Sequence, residues 1–334
     1  MNAASEHSLR IQTLANSVLA GDRRALSKAI TLVESAQPLD RALALNLLDI
    51  IMPYTGKAKR IALSGSPGVG KSTFIEAFGQ FLIEQGETIA VLAIDPSSKR
   101  TGGSILGDKT RMPTLANNPK AYIRPTPSGN LLGGVARRSR EVIALCEAAG
   151  YSTLLIETVG VGQSETDVSE MTDCSILLLQ PASGDALQGI KRGIMEMADI
   201  VIINKADGDL LPAARHSAAH YLQSLALMPK RMPDWACPVL LCSALEKTGL
   251  DALHEKIREY FVLAKENTYF SKKRSEQLST WLEDETLAEL ISAFKAQPEL
   301  QAQYQALQQS LASGVSPARL AVEFARKIIA PTQP

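Results

Sequence analysis

The sequence lacks most of the features that would tie it to a membrane, a nucleic acid or a disulfide framework. Lys plus Arg and Asp plus Glu each number 35, a formal net charge of zero. That balance gives no argument for nucleic acid or an anionic membrane as a partner. No apolar run approaches the roughly 18 residues that a spanning helix needs. The first ten residues, MNAASEHSLR, are polar and contain no apolar signal core, so a cytoplasmic chain is expected. Cys146, Cys174, Cys237 and Cys242 form no C-x-x-C pair and are expected to be reduced thiols. There are four His in all; His216 and His220 lie four apart with no further His or Cys near them in sequence, which is too little for a metal cage. What is present is an ordinary globular composition, 45% hydrophobic and 21% charged, over 334 residues.

Against that plain background one stretch stands out. Gly65-Ser66-Pro67-Gly68-Val69-Gly70-Lys71-Ser72-Thr73 contains G-x-x-x-x-G-K-[ST]. Glycines let the backbone curl until several N–H groups face one anion, and the helix that follows adds its positive end. Lys71 is expected on the β- and γ-phosphates and the Ser72 hydroxyl on Mg²⁺. The apolar run Arg60-Ile61-Ala62-Leu63-Ser64 before it and the helical pattern after it supply the context that the motif requires.

Three regions separate by pattern. Residues 1–56 carry apolar stripes at helical spacing (Ile11, Leu14 and Val18; Leu26, Ile30 and Val33; Leu43, Leu47 and Ile51) and read as a small helical module. Residues 57–265 alternate apolar runs with helical stretches. The strand candidates are 60–65, 88–95, 121–124, 153–158, 175–181, 200–204 and 238–243. Near-continuous apolar runs are expected of strands buried on both faces. The alternation predicts an α/β fold, a doubly wound, mainly parallel sheet with nucleotide at the carboxyl ends of its strands. Residues 266–334 show only helical stripes, among them Leu300, Tyr304, Leu307 and Leu311 at 4-3-4 spacing, which reads as an apolar seam for a second helix.

Further motifs fall at predicted strand ends. Asn204-Lys205-Ala206-Asp207 closes the sixth run. The Asp207 carboxylate only accepts, so it matches the two donors of a guanine and not an adenine. Asn204 is expected to tie the loop down and the Lys205 stem to lie over the base. Ser243-Ala244-Leu245 follows the last run and offers a backbone N–H to the guanine O6. These features predict GTP and GDP as ligands.

Glu157-Thr158-Val159-Gly160 stands where guanine-nucleotide proteins often carry D-x-x-G. Glu157 is expected to hold Mg²⁺ through water, and the Gly160 N–H to meet the γ-phosphate. The next residue is Val161, which cannot orient water, and Gln163 lies two farther on. Slow intrinsic hydrolysis is the expected consequence. Asp95, at the end of the second run, and Asp108, in a long glycine-rich loop, complete the candidate metal set with Ser72 and Glu157.

The strings D-P-S-S at 95–98, G-G-S-I-L-G-D-K-T-R-M at 102–112, G-G-V-A-R at 133–137, E-T-V-G-V-G-Q-S-E at 157–165 and N-K-A-D at 204–207 closely resemble one family. It is the MeaB/ArgK family, the G-protein chaperones of adenosylcobalamin-dependent methylmalonyl-CoA mutase. The resemblance covers nearly the whole chain. It implies a SIMIBI-class P-loop GTPase domain, a homodimer held by the C-terminal helical arm, and methylmalonyl-CoA mutase as the partner. It also implies a third switch at Gly184–Gly193, in which Lys191 would supply positive charge once a partner engages the loop. Hydrolysis would then gate cofactor loading and protect the mutase. The chain has no D-x-H-x-x-G cobalamin-ligand motif, so it is not expected to carry the cofactor itself. Two other readings remain: an ATP-dependent kinase linked to amino-acid transport, which Asp207 opposes, and a nickel-insertion GTPase, which the scattered His and Cys oppose.

Overall fold

Seven apolar runs become seven parallel strands. A computed structural model of the chain describes residues 3–35, 37–94, 112–125, 134–158, 168–181, 192–311 and 314–329. The strands are β1 Lys59–Gly65, β2 Ile89–Ile94, β3 Ala121–Pro125, β4 Thr153–Thr158, β5 Cys174–Leu179, β6 Ile200–Ile203 and β7 Val239–Leu241. They form one sheet in the order β3-β2-β4-β1-β5-β6-β7, each neighbouring pair parallel. Every residue of β2, β4, β5 and β6 is buried, which is why their sequences run apolar rather than alternate. The strand order reverses at β1, and in such sheets the crevice beyond the carboxyl ends at that point holds the ligand.

The N-terminal helices are α1 Ala3–Leu19, α2 Arg23–Glu34 and α3 Pro38–Ile51. Ile11, Val18, Leu26, Ile30, Val33, Leu47 and Ile51 are all buried, as their helical spacing predicts. Asp22 caps α2 by accepting from the N–H groups of Arg24 and Ala25. Among the described residues, the α-helices of the sheet region are α4 Lys71–Glu84, α5 Pro113–Asn117, α6 Gly134–Ala148, α7 Arg192–Glu196, α8 Leu211–Ala226 and α9 Leu250–Glu266. Two ion pairs hold the helical module to the sheet region: Arg41 of α3 with Glu141 of α6, and Glu34 of α2 with Arg124 of β3.

A long helix, α10, runs from Tyr269 to Lys295, followed by α11 Pro298–Ser310 and α12 Pro317–Ile329. The chain separates into two compact units, Met1–Gln277 and Leu278–Pro334. The first turns of α10 are bonded into the first unit. Arg274 donates to Asp173 Oδ2 at 2.8 Å and to the Ala58 carbonyl at 2.9 Å, Lys273 to the Asp173 carbonyl at 2.8 Å, and Gln277 to the Thr172 carbonyl at 2.8 Å. Glu147 joins the cluster through Arg60 at 2.7 Å and Arg274 at 3.3 Å. These groups gather at the amino ends of β1 and β5, opposite the nucleotide edge. In the second unit, Phe294, Tyr304 and Phe324 pack together with ring centroids 5.5–5.8 Å apart. Leu278, Leu282, Leu287, Leu290 and Ile291 are exposed there.

Among the described residues no helix is long and apolar enough to cross a membrane. The four cysteines are free thiols. Burial pushes Cys237 and Cys242 up to about 12, so neither is a thiolate near neutral pH.

Candidate nucleotide site

β1 delivers Gly65 to the crevice in a conformation that only glycine tolerates. Its φ is +153°, and a Cβ there would stand 2.5 Å from the Leu178 carbonyl of the neighbouring β5. The loop closes at Gly70, φ +93°, whose absent Cβ would meet Asn204 Nδ2 at 2.9 Å. Gly70 is also the residue before α4, so the turn and the helix start coincide. Phe74 and Phe78 anchor α4 in the core, with rings 5.7 Å apart. The helix therefore presents its first N–H groups to the loop's interior, an anion-binding arrangement.

Within the loop, Val69 is buried while Pro67 and Gly68 are exposed and Ser66 is half-buried. Lys71 folds back to donate to the Gly65 carbonyl at 2.7 Å, which keeps its ammonium beside the concavity. Ser72, second residue of α4, is half-buried and Thr73 exposed. Glu157 is 6% exposed on β4 and lies in register with Leu63 of β1 and Ala93 of β2. The strand pairing thus places that carboxylate between the strand that feeds the phosphate loop and the one that ends at Ile94.

The N-K-A-D segment meets the glycine-rich loop, and the S-A-L turn meets N-K-A-D, through side-chain hydrogen bonds. Asn204, 1% exposed, donates from Nδ2 to the Val69 carbonyl at 2.9 Å and accepts the Ala244 N–H on Oδ1 at 3.2 Å. Lys205 sits at φ +57° and donates from Nζ to the Gly68 carbonyl at 2.8 Å. Its stem is stretched across the loop mouth. The Ser243 hydroxyl donates to Asp207 Oδ2 and accepts the Glu246 N–H at 3.0 Å. An antiparallel bridge between Ser243 and Thr248 closes that turn, and Leu245 at its tip is 80% exposed. The Ser243 hydroxyl is a positioning group that the motif alone does not reveal, because S-A-L points to a backbone N–H and not to a side chain.

Asp95, Asp108, Gly160, Val161, Gln163 and Lys191 lie outside the described residues. Among the described residues no group of three or more His, Cys, Asp or Glu could hold a metal ion. The acceptors that the described site offers a divalent cation are the Ser72 hydroxyl and the Glu157 carboxylate. That set suits Mg²⁺, which takes one or two protein oxygens and completes its shell with phosphate and water.

The chain resembles known proteins over nearly its whole length. It is 47% identical over 287 residues to the GTPase ArgK of Escherichia coli, covering 85% of this chain and 86% of that protein. It is 43% identical over 322 residues to the mouse mitochondrial methylmalonic aciduria type A homolog, covering 93% of this chain and 78% of that one. A crystal structure described as a LAO/AO transport system kinase superposes with a TM-score of 0.75 at 36% identity, covering 98% of this chain and 99% of that one. The profile of the family described as methylmalonyl-CoA mutase-associated GTPase MeaB matches residues 26–299. With that match, and with Asn204 of the N-K-A-D segment bonded to Val69 of the glycine-rich loop, the chain belongs to the MeaB family of GTPases.

Proposed function

We propose that this GTPase is a switch that serves adenosylcobalamin-dependent methylmalonyl-CoA mutase, gating cofactor loading and protecting the loaded enzyme. The observation that carries the reading is the joined site in a chain of this family: Asn204 bonds the base loop to the phosphate loop, so base recognition and phosphate binding report to one structure. Asp207 and a backbone N–H of the Ser243-Ala244-Leu245 turn take the guanine, the Leu245 N–H being the candidate because that of Ala244 is given to Asn204; Gly65 through Thr73 take the phosphates. Ser72 and Glu157, together with Asp95 and Asp108, would hold Mg²⁺, which when bound would supply positive charge against the nucleotide's phosphates.

Lys71 stabilises charge on the transferring phosphoryl group, and the Gly160 N–H senses the γ-phosphate. Val161 cannot orient water, so turnover alone is slow, on the order of 10⁻⁴ to 10⁻² s⁻¹. A partner that engages the 181–193 stretch brings Lys191 to the phosphates, with Gln163 as the alternative. The protein works as a homodimer joined through its C-terminal helices, whose exposed leucines would be covered in the pair.

Phosphate release with and without the mutase tests this. The mutase should accelerate hydrolysis, and Lys191→Ala should blunt that acceleration while leaving GTP affinity nearly unchanged. No acceleration by the cognate mutase would sink the coupling. Displacement of labelled GDP by ATP as readily as by GTP would favour the kinase reading instead.

A further inference from the structure

The helical module carries a feature that nucleotide binding does not use. Helices α1, α2 and α3 leave an open groove of about 700 Å³ between them. Its floor is aliphatic: Leu14, Leu32 and Leu43 are half-buried, and Leu9 is 60% exposed at its edge. Its rim is cationic, with Arg10 from α1 and Arg24 and Lys28 from α2, all exposed. Arg24 and Lys28 stand one helical turn apart, on one face. They also line a second depression, of about 390 Å³, which adds Arg23.

The charges are unbalanced in a directed way. Among the described residues, Arg10, Arg24 and Lys28 form no ion pair. The two carboxylates of the groove are already engaged. Asp22 accepts the N–H groups of Arg24 and Ala25 at 2.7 and 2.9 Å, and Asp40 accepts the Ser35 hydroxyl at 2.6 Å. Three cations thus face solvent around an apolar floor, in a chain whose net charge is zero. Helix α2 is also bonded to the sheet: Ser27 meets the Tyr122 hydroxyl of β3 at 3.1 Å, and Glu34 pairs with Arg124.

We propose that this groove docks an acidic amphipathic helix of a partner protein. The complement of an aliphatic floor between cationic rims is a helix with a leucine stripe flanked by carboxylates. A small anion would use the cations and leave the leucines in water. A neutral apolar helix would leave the cations without partners.

The test uses the full-length protein saturated with GDP. Its probe is a labelled helical peptide of about 18 residues with Leu at i, i+4, i+7 and i+11 and Glu on both flanks. A counterpart peptide carries Lys in place of Glu. The Glu peptide should bind, and bind more weakly as salt rises. Arg24→Glu combined with Lys28→Glu should weaken it about tenfold or more, while the melting temperature and GTP affinity stay near wild type. Equal affinity for wild type and the double variant, or for the Glu and Lys peptides, would overturn the proposal. So would complete displacement of the peptide by millimolar pyrophosphate, which would assign the groove to a phosphate ligand. The mutase is not part of this experiment, so its result stands apart from the functional reading above.

Discussion

Asn204 and Val69 are 135 positions apart in the chain and joined by one 2.9 Å hydrogen bond. The same side chain accepts the Ala244 N–H, so one buried amide holds three loops. Asn204→Ala should orphan both partners, at about 1–3 kcal/mol each. The expected result is a loss of affinity of about 30-fold or more, equal for GDP and GTP. Titration of a fluorescent derivative of each nucleotide measures it. A loss confined to GTP would show that Asn204 acts at the γ-phosphate instead.

Asp207 is proposed to read the base, and the Ser243 hydroxyl donates to its carboxylate. Asp207→Asn replaces an acceptor by a donor and should shift preference from guanine toward xanthine nucleotides. Ser243→Ala should keep guanine preference and cost about 1 kcal/mol of affinity, the net worth of one hydrogen bond. Competition between GTP and XTP separates the two. Unchanged GTP binding by Asp207→Asn would remove it from the base site.

Two glycines of the phosphate loop should respond differently to the same substitution. Gly65→Ala places a methyl 2.5 Å from a backbone carbonyl that cannot move without breaking the sheet. Gly68→Ala meets nothing within 4 Å and carries only the strain of φ +82°, about 1–2 kcal/mol. Gly65→Ala should therefore abolish nucleotide binding and lower the melting temperature, and Gly68→Ala should lower it much less. Equal melting temperatures would mean that β1 and β5 can separate at that point at no cost.

β2, β4, β5 and β6 were legible because strands buried on both faces must be apolar throughout, and each observed strand overlaps its predicted run. The loops were legible because glycine spacing, N-K-x-D and S-A-L each mark a strand end. Other features carry no local signal. Arg274 reaches Glu147 and Asp173 across 127 and 101 residues, and nothing in the helical period of 269–295 distinguishes its anchored turns from its exposed ones. Sequence patterning began the C-terminal arm at 266, where strand signals stop. The contacts of Lys273, Arg274 and Gln277 continue the first compact unit to 277. The groove between α1, α2 and α3 was equally invisible, since it depends on how three short helices are set against each other.

The Arg274 cluster has a pH signature. Burial alone would raise the Glu147 carboxyl, but the Arg60 hydrogen bond and charge, the Arg274 charge and the Gly56 N–H together hold it below its ordinary range. A carboxyl lowered on folding stabilises the protein above its unfolded pKa, and that contribution fades as pH falls through the lowered value. Arg274→Ala should cost about 3–5 kcal/mol at neutral pH, because it leaves buried charge uncompensated. The gap in melting temperature between variant and wild type should narrow as pH falls below about 4. A gap that is constant with pH would mean that Arg274 acts by packing alone, through its stacking over Phe270 at 5.1 Å.

The last prediction concerns assembly. Residues 278–291 expose Leu278, Leu282, Leu287, Leu290 and Ile291, each more than half exposed. A helix with this much aliphatic surface in water is expected to bury it against a second copy. A chain ending after Gln277 keeps the bonds of Lys273, Arg274 and Gln277, and with them the first compact unit. It should sediment as a monomer and bind GDP with affinity near that of the full chain. A cut at 265 should instead destabilise the nucleotide domain, because Asp173 and Glu147 lose Arg274. Leu282→Glu combined with Ile291→Glu in the full chain should dissociate the dimer and leave the melting temperature of the first unit unchanged. If the 1–277 chain still sediments as a dimer, the interface lies on the nucleotide domain and the exposed leucines serve another partner.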